Sequence, residues 1–117
     1  MGLILWIDHN SFATSLLEKV FKKQSLPFYT INQVSDFSFL IDDLRPVLIV
    51  LNTETFLKDP EPFLLQYQAS TQIQNTPFVL IGNHESLSFI KNKIGELQKP
   101  LEPFDIPDQL KKILSLN

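Results

Sequence analysis

Short, unbroken apolar runs set apart by longer polar-studded stretches constrain this chain more than any other feature. Residues 3–7, 47–51 and 78–81 each hold four or five consecutive apolar side chains, many of them β-branched. A strand with one wet face alternates apolar and polar residues. Runs without alternation therefore predict strands buried on both faces, as in a parallel sheet covered by helices above and below. Residues 28–31 and 97–101 are weaker candidates for two further strands.

The stretches between the runs carry a helical period. Ser11 is placed to cap a helix in which Ala13, Leu16, Leu17, Val20 and Phe21 form one apolar stripe, ending near Lys23 and before Pro27. Residues 35–44 place Phe37, Leu40, Ile41 and Leu44 at the same spacing and stop before Pro46. Pro62 predicts the opening of a third helix through Phe63, Leu64 and Tyr67. Asn83 predicts the cap of a fourth through Leu87, Ile90 and Ile94, closed by Gly95. The fifth begins near Pro107 and uses Leu110, Ile113 and Leu114. Five strands alternating with five helices predict an α/β fold, a three-layer (βα)5 sandwich with right-handed crossovers. In such sheets the functional site lies outside the carboxyl ends of the strands, where strand order reverses.

Composition narrows the function classes. A chain of 117 residues has room for one domain, and 44% hydrophobic with 20% charged residues is ordinary globular usage. Ten Lys and Arg against thirteen Asp and Glu leave a net charge of −3, which disfavours a broad surface for nucleic acid or anionic lipid. With no cysteine there is no disulfide, thiolate metal site or cysteine nucleophile. The amino terminus lacks the basic leader of a signal peptide, and no run reaches the roughly 18 apolar residues of a membrane span, so a cytoplasmic protein is expected.

The strand ends carry the informative residues. The first run delivers Asp8-His9-Asn10, the third Asn52-Thr53-Glu54, the fourth Gly82-Asn83-His84 and the fifth Glu102-Pro103-Phe104. Pro46 heads the third strand, Thr76-Pro77 the fourth, and Gly95 stands seven residues before Glu102. With these landmarks the chain, from Leu3 to about Leu114, resembles the receiver domain of bacterial response regulators, the CheY-like family. The resemblance implies a flavodoxin-like sheet of strand order 2-1-3-4-5, a single receiver-like domain over residues 1–117 with no output domain, and a place in two-component or phosphorelay signalling.

The same resemblance implies a phosphoryl pocket, and this sequence departs from it at nearly every position. The phosphoacceptor aspartate at the end of the third strand is Asn52, a neutral amide and a poor nucleophile. The acidic pair that holds Mg²⁺ reads Asp8-His9, leaving one carboxylate. Gly82 stands where a Thr or Ser hydroxyl is required, and Glu102 where a lysine precedes Pro-Phe. The Lys99-Pro100 pair lies three residues early for that lysine, at the place of the family's switching aromatic; a shifted strand would bring Lys99 to the pocket and still leave Asn52 and Gly82 incompetent. Asp8, Glu54 and Glu102 without a lysine would repel a phosphate dianion.

The sequence thus predicts a degenerate pocket of Asp8, His9, Asn52, Glu54, Gly82 and Glu102, with no catalytic residue, metal or cofactor. It predicts a stand-alone, non-enzymatic pseudo-receiver that acts by phosphorylation-independent protein–protein interaction. Its partner would be another signalling protein (a kinase, regulator or output protein), with a homodimer through the fourth and fifth helices as a further expectation. Two alternatives stand beside it: a metal-binding protein using His9 and His84 with Asp8 or Glu102, and a phosphoacceptor regulator with relocated chemistry, for which Glu54 is the nearest carboxylate. Phe56-Leu57, Phe12 and Phe39 are candidates for an exposed apolar partner surface, and Lys111-Lys112 for a solvated face.

Overall fold

A computed structural model of the chain describes residues 2–35 and 37–117. Its five parallel strands are β1 (Ile4–Ile7), β2 (Phe28–Ile31), β3 (Leu48–Asn52), β4 (Phe78–Ile81) and β5 (Lys93–Leu97), in the order β2-β1-β3-β4-β5. The helices are α1 (Ser11–Lys23), α2 (Phe37–Leu44), α3 (Thr53–Lys58), α4 (Pro60–Ala69), α5 (Thr71–Asn75) and α6 (Ile106–Ser115). Two 3-10 turns, Glu85–Leu87 and Pro103–Asp105, flank β5 in the chain.

The unbroken apolar runs follow from the layers. Successive side chains of a strand point to opposite faces. Leu5, Ile7, Ile49, Leu51, Phe78 and Leu80 point to one face, against Phe37, Ile41, Phe56, Phe63, Tyr67 and Ile73 from α2 to α5. Ile4, Trp6, Leu48, Val50, Val79 and Ile81 point to the other, against Leu17 and Phe21 of α1 and Ile106 and Leu110 of α6. The first layer is aromatic: Phe63 stacks on Phe37 with ring centroids 5.0 Å apart and meets Phe56 and Phe78 edge-on at 5.6 and 6.0 Å.

Several expected boundaries differ. Asn10, not Ser11, caps α1, its side chain accepting from the Ala13 N–H. Position 36, inside the expected second helix, lies outside the described residues. β3 runs one residue later than expected, leaving Val47 half exposed and making Asn52 its last residue. The third helix is three. α3 is capped by Asn52, α4 opens at Pro60, and α5 is capped by Ser70, whose hydroxyl accepts from the Ile73 N–H. Pro60 and Pro62 both sit in the first turn of α4, where backbone N–H groups have no intrahelical partner to lose.

The expected fourth helix is a short turn. Leu87 and Ile90 bury beneath the Glu85–Leu87 turn, while Ile94 already belongs to β5, so their helical spacing comes from two different elements. A polar staple fixes the segment. Tyr67 donates its hydroxyl to Asn92 Oδ1 at 2.7 Å and accepts from the Lys91 N–H, and the Asn92 amide donates to the carbonyls of Ile73 and Thr76. Those carbonyls lie at the end of α5, where Ile73 also accepts the Thr76 N–H, so one side chain ties the helix end to the entry of β5. β5 therefore starts at Lys93 rather than at Leu97. Gly95 is its close-contact residue and not a helix terminus: a Cβ there would lie 3.0 Å from Ile113 Cγ2 of α6. The surface expected of a fourth helix paired with a fifth is consequently not built as two helices.

Candidate functional site

The order β2-β1-β3 reverses direction at β1, and the carboxyl ends of β1, β3 and β4 bring the first group of polar residues together. Asp8 and Asn52 are both buried, each only 3% exposed; among the described residues the other buried polar side chains are threonines. A buried carboxylate needs hydrogen-bond donors, and Asp8 has them. Its Oδ1 accepts from Asn52 Nδ2 at 2.9 Å and from the backbone N–H of Asn10 at 3.0 Å, and its Oδ2 accepts from the Trp6 indole N–H at 3.3 Å. Asn52 uses both ends of its amide. While Nδ2 donates to Asp8, Oδ1 accepts from the Glu54 N–H at 3.1 Å and caps α3.

Two threonines of α3 complete the mouth, and neither stood out in the sequence. Thr55 Oγ1 accepts the His9 N–H at 3.0 Å and pairs with His9 Nδ1 at 2.5 Å, fixing the half-buried imidazole. Thr53 donates its hydroxyl to the Gly82 carbonyl at 3.1 Å. Gly82 has φ of +78°, and a Cβ built there meets nothing within 4 Å. Space is not what excludes a hydroxyl-bearing side chain at this position; the left-handed backbone disfavours one.

The fifth strand changes the charge at the mouth. Because β5 ends at Leu97, Lys99 follows it by two residues, whereas Glu102 lies five beyond, exposed, at the head of the Pro103–Asp105 turn. Lys99 Nζ lies 3.0 Å from Glu54 Oε1. The expectation of a mouth without a lysine is corrected: the Lys99-Pro100 pair stands where the resemblance places its lysine. The same three-residue shift moves the switching-aromatic position from Lys99 to Glu96, which pairs with Lys93 at 2.8 Å. The Lys99 hydrogen bond and charge hold the Glu54 carboxyl below the usual carboxylate range, with His9 and Lys58 adding smaller pulls. Glu54 is thus an exposed, paired anion.

The donor set does not suit Mg²⁺. Both oxygens of Asp8 already accept N–H groups, Asn52 turns a nitrogen toward it, and Mg²⁺ demands several hard oxygens in octahedral array. The His9/His84 metal reading is corrected as well. His9 is held by Thr55, while His84 is exposed and caps the Glu85–Leu87 turn with its Nδ1. Among the described residues no three His, Asp or Glu side chains converge to hold an ion. No helix among them is long and apolar enough to cross a membrane.

No family model matches the sequence, and no curated protein does. Solved structures do match. A response regulator receiver modulated diguanylate cyclase from Pelobacter carbinolicus is 20% identical, with a TM-score of 0.70 over 99% of this chain and 94% of that one. A response regulator from Desulfuromonas acetoxidans is 12% identical, with a TM-score of 0.79 over 99% and 98%. The chemotaxis response regulator CheY4 of Vibrio cholerae is 14% identical, with a TM-score of 0.74 over 97% and 98%. Identities this low speak to architecture, and with the strand order they establish that the chain has the CheY-like, flavodoxin-like fold of response regulator receiver domains.

Proposed function

We propose that this protein is a receiver-like domain without phosphoryl chemistry, acting in signal transduction by binding another protein whether or not a phosphodonor is present. One observation carries the reading: the residue ending β3 is an amide whose nitrogen is committed to Asp8 and whose oxygen is committed to the cap of α3. An amide offers no carboxylate to form an acyl phosphate, and both oxygens of Asp8 already accept N–H groups. Glu54, the nearest other carboxylate, is exposed and paired with Lys99, which argues against chemistry relocated to it. Lys99 itself is occupied by that pair. On this reading the protein is not an enzyme and needs no cofactor. Its partner is a signalling protein such as a kinase, another regulator or an output protein.

The test is amide-resolved NMR with acetyl phosphate, or beryllofluoride, in the presence of Mg²⁺. The expected result is no saturable shift at Asn52, Thr53 or Gly82. Specific saturable shifts there would overturn the reading.

A further inference from the structure

The two edges of the sheet are built differently. β5 is blunted: Lys93 and Glu96 stand on it as an ion pair, and a bulge at Ile94, where Phe78 pairs with Lys93 but Val79 with Gly95, breaks its register. β2 carries none of these devices. Phe28-Tyr29-Thr30-Ile31 pairs with Ile4–Ile7 in unbroken register, and residues 24–35 contain no charged side chain. Two hollows run along β2 and meet at Thr30, one between residues 25–30 and Glu18 and Lys22 of α1, the other between residues 30–33 and Thr14 and Ser15.

The backbone bonding identifies the groups this edge leaves open. Pro27 O accepts from the Ile4 N–H, and Ile31 O from the Asp8 N–H. Alternate residues of a parallel strand bond to the same side, so Pro27, Tyr29 and Ile31 face β1 while the N–H and C=O of Phe28 and Thr30 face outward. Side chains alternate as well: Phe28 packs with Trp6 and Phe21 on the α1 side, and Tyr29, 43% exposed, belongs to the other face.

We infer that this edge pairs with the same edge of a second copy, antiparallel about a two-fold axis at Tyr29, joining the two sheets into one. Phe28 and Thr30 of each copy then exchange N–H···O=C bonds with Thr30 and Phe28 of the other. The side chains match in that register. Tyr29 meets Tyr29 of the second copy and Phe28 meets Thr30, an aromatic pair flanked by aromatic and β-branched pairs with no charge among them. Glu18 and Lys22 line the hollow one turn apart with opposite signs, so a copy of α1 reversed by the axis sets each against its complement. An extended segment of an unrelated protein would share the backbone bonds without this complementarity. The pairing uses up the unblunted edge, so it closes at a dimer. It does not depend on the absence of phosphoryl chemistry proposed above.

The test is sedimentation velocity with amide hydrogen exchange on the full chain. Self-association to a dimer and no further is expected between about 10 µM and about 1 mM, with exchange at Phe28 and Thr30 slowed about tenfold or more at the higher concentration. Thr30→Pro removes an outward N–H, leaves the ladder to β1 intact, and should abolish the dimer with an unchanged circular dichroism spectrum. Tyr29→Lys and Tyr29→Glu should each be monomeric alone and pair when mixed, which decides the matter should Thr30→Pro unfold. A chain still monomeric at about 1 mM, or a dimer whose Phe28 and Thr30 amides exchange as fast as the monomer's, would overturn the inference. So would growth beyond a dimer, or Tyr29 variants that dimerise alone or fail to pair when mixed.

Discussion

Replacing Asn52 with Asp tests the arrangement at the strand ends directly. In the protein as it stands, Asn52 Nδ2 donates to Asp8 Oδ1 at 2.9 Å. Asn52→Asp deletes a hydrogen bond to a charged group, worth about 1.5–3 kcal/mol, and sets two carboxylates face to face. Two unit charges about 4 Å apart at an effective dielectric near 20 repel by about 4 kcal/mol. The pair can escape by taking up a proton, which limits the cost. Holding a proton at pH 7 on a carboxyl whose ordinary value is about 3.9 costs about 4 kcal/mol, so the variant should lose no more than that at neutral pH.

The sign follows from linkage. The folded-state pair binds its proton more tightly than the unfolded chain, so stability is kept below the unfolded value and falls as pH rises, by about 1.4 kcal/mol per unit, until the pair ionises. The loss should therefore be small near pH 4 and reach about 4 kcal/mol at pH 7. Urea unfolding followed by tryptophan fluorescence is the suitable assay, run without divalent cations that would mask the repulsion. Trp6 is the sole tryptophan, fully buried, and its indole N–H touches Asp8. An Asn52→Asp variant as stable as the parent at pH 7, with no added pH dependence, would refute the hydrogen-bonded pair as described.

Other positions give narrower tests. Phe63→Ala removes a ring that meets Phe37, Phe56 and Phe78, and should cost about 3–5 kcal/mol by urea midpoint at unchanged slope. Gly95→Ala places a methyl against Ile113 and should cost about 1–3 kcal/mol, with Ile113→Val restoring part of it in the double variant; a neutral Gly95→Ala would refute the close contact. Lys99→Met should raise the titration midpoint of Glu54 followed by carboxyl carbon shifts, because the pair now holds it down. The stability from that pair is present above the unfolded value of Glu54 and disappears as pH falls through the lower folded value. At this exposed site the loss is small, and an unmoved Glu54 midpoint in the variant would discount the ion pair.

Strands buried on two faces are legible because nothing in them has to be polar, and β1, β3 and β4 stand out for that reason. β5 does not. Lys93, Gly95 and Glu96 interrupt it at the sheet edge, and Gly95 serves an approach by α6 that no local pattern announces. Misplacing that strand exchanged Lys99 for Glu102 at the mouth, so an error of a few residues inverted a charge. Asp8, Asn52 and Gly82 were legible because each ends an obvious strand. Thr55, Tyr67 and Asn92 were not, since each acts on residues distant in sequence: Thr55 on His9, and Tyr67 with Asn92 across the entry to β5. Phe56 was read as part of an exposed pair and is core, with only Leu57 half exposed, whereas Phe12 and Phe39 are open as expected.

The two helical layers draw on different parts of the chain. α2 to α5 follow one another and cover one face of the sheet, while α1 and α6, from opposite ends, share the other. The aromatic layer can assemble from neighbours along the chain, but the second closes only when the two termini meet across everything between them. Asn52 and Thr55 belong to the self-contained side, and the groove between α1 and the Pro103–Asp105 turn, lined by Leu16, Val20 and Phe104, straddles the closure. Fraying of the last helix would therefore open that groove before it disturbed the amide at the strand end, and the two halves of the protein's surface would respond separately to the same loss of stability.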